Sequence, residues 1–109
     1  MANFDDFLKE VGKSLTEFAK NNWNTYKDAA VKDGKLFIEK SKADIERWLK
    51  LLASGGLNRD DFEWLIMGKK DLAELNALKQ AGLTKVALDR FINGVIDIII
   101  STAFKTIKV

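Results

Sequence analysis

The stretch Phe91-Ile92-Asn93-Gly94-Val95-Ile96-Asp97-Ile98-Ile99-Ile100-Ser101-Thr102-Ala103-Phe104 is apolar almost all the way round a helix. Its polar side chains recur every fourth residue, at Asn93, Asp97 and Ser101, with Asp89 one step before them and Lys105 one step after. On a helix these positions form one narrow stripe, and the rest of the cylinder needs cover. The pattern predicts the central helix of an all-α bundle, or a segment completed by another chain or a lipid surface. As a membrane span it falls short of the roughly 17 to 25 residues required, and it carries Asp97 at its middle.

Reading back from this helix, Gly82-Leu83-Thr84 has the form of a tight helix-to-helix connection. Glycine supplies the left-handed residue that ends one helix, and Thr84 caps the next. Further back, Ser54-Gly55-Gly56 closes a helical region, and Asn58, with Asp61 three residues on, opens another. These marks predict an antiparallel C-terminal helical hairpin with arms over about residues 59–81 and 85–107. Each arm would be roughly 35 Å long at about 1.5 Å per residue.

The first half has a different rhythm. Phe4, Leu15, Tyr26, Phe37 and Trp48 recur every eleven residues, with Leu8, Ala19, Ala30, Ser41 and Leu52 alongside. Eleven residues make three helical turns, so one helix from Asn3 to about Ala53 would keep a single apolar face. Asn22, Asp33 and Asp44 interrupt that face, and Asp33-Gly34 is a common turn dipeptide. Unbroken, the helix would be roughly 75 Å long, twice the hairpin it packs on, and half of its stripe would lack cover within the chain. Two architectures are open. Either the chain turns near Asp33-Gly34 and closes a four-helix bundle, or a long helix persists and its surplus stripe pairs with another copy. The expectation is an antiparallel bundle in which a long amphipathic N-terminal region, bent or broken between about residues 21 and 41, packs on the C-terminal hairpin.

Length and composition agree with this reading. At 109 residues the chain is expected to be one domain, spanning 1–109, and 47% apolar content supports a core. Proline is absent, as suits long helices with few connections. Cysteine and histidine are absent too, which removes Cys/His zinc sites, cysteine nucleophiles, histidine-dependent triads and the Glu-x-x-His ligands of di-iron bundles. No catalytic residue, metal ligand or cofactor site is therefore expected. Basic and acidic residues number ten and nine in the first 53 positions and eight and seven in the rest, so no basic half exists to bind nucleic acid. Met1 to Phe7 has neither the basic nor the apolar region of a signal peptide, and a cytoplasmic location is expected.

Individual motifs read mostly as structure. Gly68-Lys69-Lys70 lacks the preceding strand, the earlier glycine (Glu63 stands there) and the following Ser or Thr of a phosphate loop. Asp60, Asp61 and Glu63 lack calcium-loop spacing and suit the first turn of a helix, where the macrodipole favours carboxylates. The stripe through Asp97 is expected to face water, because a buried carboxylate without a partner is costly. Ile99, on the other side, is expected in the core. Tryptophan is enriched at interface hot spots, and Trp23 and Trp64 are candidates for that role, with Trp48 fitting the core stripe. Trp64 lies on the side of its helix away from Leu65 and Ile66, where Met67, Asp71, Leu75 and Leu78 continue a second strip. That helix is either sandwiched within the bundle or exposes a contact surface.

The candidate interface residues are Trp64, Met67, Leu78, Trp23 and Tyr26. The functional expectation is a non-enzymatic helical protein–protein interaction module that self-associates through apolar helix faces, as a homo-oligomer, or binds a protein partner. The alternative is peripheral binding to a membrane surface, or to a hydrophobic ligand, by the amphipathic helices.

Overall fold

A computed structural model describes residues 4–106 of the chain. It is an all-α bundle, with no strand among the described residues. Helix α1 runs over Phe4–Asn22 and α2 over Lys27–Ser54, joined by a 3₁₀ turn at Asn24–Tyr26. Helix α3 covers Arg59–Gly68, passes into a 3₁₀ turn at Lys69–Leu72, and is followed by the short α4, Asn76–Gln80, and by α5, Lys85–Thr106. The 28 residues of α2 set the long dimension of 42 Å. Helix α1 packs on α2 and α5, α3 spans the two, and α4 lies on α2.

The break in the N-terminal region falls at Trp23, inside the expected window and away from Asp33-Gly34. Asn21, Asn22, Trp23, Asn24 and Thr25 are all modest helix formers, and nothing within this run holds the helix together. Trp23 and Tyr26 leave the helical region, with φ of −132° and −115°, and the chain folds back. The eleven-residue stripe is thereby folded onto itself. Phe7, Val11, Leu15 and Ala19 of α1 meet Ala30, Phe37, Ile38 and Ile45 of α2 in one core, so the expected surplus stripe is covered within the chain. Asn3, where the single-helix reading began, lies outside the described residues.

Asp33 and Gly34 are in the interior of α2, and the turn that one of the two open architectures placed there does not form. Gly34 serves a close approach instead: a Cβ at this position would lie 2.7 Å from Leu15 Cδ1, so its absence lets α1 sit against α2. Gly94 of α5 does the same for the ring of Phe18, which stacks on Phe91 at 5.9 Å while Trp23 meets Phe91 edge-on at 5.8 Å. The corner at Trp23 is thus tied to the central helix.

The local signals before and after the hairpin arms form as expected. Gly55 and Gly82 take positive φ, Asn58 Oδ1 accepts the Asp61 N–H at 2.8 Å, and Thr84 Oγ1 accepts that of Ala87 at 3.2 Å. Helix α5 is the buried helix anticipated, with Ile99 and Phe91 inaccessible. Its stripe of Asp89, Asn93, Asp97, Ser101 and Lys105 faces water. Residue 107, the expected end of this arm, lies outside the described residues.

The other arm is not one helix over 59–81. After Leu72 the backbone extends at Ala73 and turns left-handed at Leu75 (φ 50°) before α4 begins. A straight helix would carry Leu75 and Leu78 on the outward side with Trp64 and Met67. The break swings both leucines into the core, where burial stabilises each by about 1.5 to 3 kcal/mol. Leu78, with 0% exposure, is therefore a core residue and no part of an outward strip.

Candidate interaction face

The segment from α3 to α4 is docked on the bundle by an apolar inner side and a seam of polar contacts. Phe62 and Ile66 of α3 are buried, and Phe62 lies 5.9 Å from the ring of Phe104 on α5. Along the seam, Lys69 binds Asp44 and Lys40 binds Glu74. Asp33 accepts the backbone N–H groups of Ala77 and Leu78 at 3.1 and 2.7 Å. Two of the three polar interruptions of the eleven-residue face are thereby explained: Asp33 and Asp44, three helical turns apart on α2, are the posts to which the 69–78 segment is tied.

These pairs also set the electrostatics. The hydrogen bond donated by Lys69 is the main reason that the Asp44 carboxyl sits below its ordinary range, with desolvation opposing and Arg47, 3.0 Å away, assisting. Lys40 lowers Glu74 in the same way. The remaining cations near α3 also turn toward the bundle. Arg59 stacks its guanidinium 4.2 Å from the centroid of Phe104, Lys70 pairs with Asp89 at 2.6 Å, and Lys69 Nζ lies 5.3 Å from the ring centroid of Trp48.

The outward side of α3 is left with a different character. Trp64 is 75% exposed and Met67, three residues on, 59% exposed. Gly68 beside them has open space where a side chain would stand. Asp60 and Asp61 on the preceding turn and Asp71 on the following one are exposed, and Glu63 is half-buried. The face is thus an apolar centre with carboxylates at its margins.

Of the other interface candidates, Trp23 and Tyr26 sit at the α1–α2 corner, half-buried against the core, and Leu78 is fully buried. The structure sets Trp64 beside Met67 on α3 and Trp23 beside Tyr26 at the corner, and of these two pairs only the first is exposed. Sequence periodicity located that pair, but it did not find the role of Asp33, whose partners lie 44 and 45 residues away.

A groove of about 40 Å³ opens where Leu36, Leu72 and Leu75 approach Asp33 and Lys40. At roughly 10 to 15 Å³ for each water centre it has room for about three waters. Among the described residues no group of three or more Asp or Glu is placed to hold a metal ion, and no helix is long and apolar enough to cross a membrane. No protein-family model, curated protein or solved structure matches the chain.

Proposed function

We propose that this chain is a non-enzymatic helical protein-interaction module whose contact surface is the outward face of α3. The observation that carries the reading is the exposure of Trp64 and Met67 side by side, on a helix whose inner side is already satisfied by Phe62 and Ile66. Covering two such side chains is worth about 1.5 to 3 kcal/mol each, and tryptophan is among the residue types enriched at interface hot spots. The reading rests on α3 alone, because α1 and α2 cover the stripe on which the expectation of self-association was based.

Light scattering at tens of micromolar tests the form of the contact. A dimer that becomes a monomer in Trp64→Ala makes a second copy the partner, whereas a dimer indifferent to that change removes α3 from the interface. A monomer assigns the face to another protein. Co-sedimentation with anionic vesicles is the companion measurement, and no binding is expected, since the amphipathic faces of α1 and α2 are turned to the core.

A further inference from the structure

We infer that the occupant of the α3 face is a basic amphipathic helix, with apolar residues at its centre and Lys or Arg about three turns apart at its ends; this rests on the reading of that face as an interface. The argument is one of charge left over. Between Arg59 and Asp71 the chain has three cations, and each is engaged on the bundle side: Arg59 on Phe104, Lys69 on Asp44 and Lys70 on Asp89. Among the described residues Asp60, Asp61, Glu63 and Asp71 form no salt bridge. The chain as a whole carries +2, so this negative margin is a local feature against the overall charge.

The margin selects among occupants. A twofold pairing of α3 with α3 of a second copy in antiparallel register would bring Asp60 of one against Asp71 of the other, like charge on like. A phosphate-bearing surface would meet the same carboxylates and be repelled. A helix laid along α3 with its apolar stripe on Trp64 and Met67 answers the margin only if its flanks are cationic. Asp60 and Asp71 are eleven residues apart, roughly 18 Å with the α-helical rise up to Gly68 and the larger 3₁₀ rise beyond it, so the matching cations stand about three turns apart. The open space over Gly68 gives a ridge from such a partner a place to seat.

The test uses two labelled helical peptides of about four turns, with leucine at helix-spaced positions and either lysine or glutamate elsewhere, titrated with the full chain and read by fluorescence anisotropy. The expected result is binding of the Leu/Lys peptide, at least about tenfold tighter than the Leu/Glu peptide, and weakened at least about tenfold between roughly 50 and 500 mM salt. The double variant Asp60→Asn/Asp71→Asn should lose about tenfold for the Leu/Lys peptide, and Trp64→Ala should lose at least as much. All three positions are exposed, and circular dichroism verifies that the variants fold. Equal binding of both peptides, lost in Trp64→Ala, overturns the basic partner while keeping α3 as an interface. Binding that ignores Trp64→Ala overturns the interface itself. Failure of the Leu/Lys peptide to bind overturns the inference as well.

Discussion

The carboxylate of Asp33, on α2 and only 3% exposed, accepts the backbone N–H of Leu78 at 2.7 Å, and so caps a helix 45 residues further along the chain. Helix α4 has no cap of its own, because Leu75 stands at its N-terminal boundary in a left-handed conformation and its side chain has no acceptor. The first amides of a helix need partners, and here a distant helix supplies them.

Asp33→Ala leaves the Ala77 and Leu78 amides unpaired in a largely buried setting and should cost about 2 kcal/mol in urea unfolding. Hydrogen exchange at those two amides should quicken more than elsewhere. Unchanged stability together with unchanged exchange would remove Asp33 from its role as the remote cap.

Glycines in helix interiors usually weaken them, and replacement by alanine gains about 0.5 to 1 kcal/mol. Gly12→Ala should follow that rule, since a Cβ there meets nothing within 4 Å. Gly94→Ala should go the other way, because the new methyl would press into the Phe18 ring. Such overpacking costs about 1 to 3 kcal/mol, so a net loss near 1 kcal/mol is expected. Thermal melts of the two variants, moving in opposite directions, verify the close approach of α1 to α5.

Acid should loosen the docking of the 69–78 segment. Asp44 and Glu74 have lowered pKa values in the folded chain, owing first to the hydrogen bonds from Lys69 and Lys40. As pH falls the unfolded chain takes up these protons first. The stabilisation is therefore fully present above the ordinary carboxylate range near pH 4 and is lost as pH falls through the lower folded values. Urea midpoints measured from neutral pH down to about pH 2 should fall in that window, and fall less in Asp44→Asn. An equal fall in that variant would remove Asp44 as a source of the effect.

On α5, Ile99→Ala should cost about 2 to 5 kcal/mol, because its side chain is wholly enclosed. Asp97→Leu, two residues away on the exposed stripe, should change stability by no more than about 0.5 kcal/mol. A loss above about 2 kcal/mol at position 97 would mean that the stripe makes contacts of its own.

What the sequence determined by itself was short-range. The apolar girth of residues 91–104, the caps at Asn58 and Thr84 and the left-handed glycines at Gly55 and Gly82 act within a turn or two of themselves, and each forms as its residues dictate. That Trp64 and Met67 share one side of their helix was legible for the same reason, being a matter of angle about one helix, whereas the exposure of that side was decided by the tertiary structure. Tertiary structure decided where helices stop for lack of a local stop signal. Apart from Asp71, residues 69–75 are good helix formers, yet the chain breaks among them because burying Leu75 and Leu78, and lending the Ala77 and Leu78 amides to Asp33, is worth more than a continuous helix. Likewise Asp33-Gly34 has the composition of a turn and stays helical, since Leu15 occupies the space that glycine leaves and Asp33 faces α4. Such partners lie on other helices, beyond the reach of any local pattern.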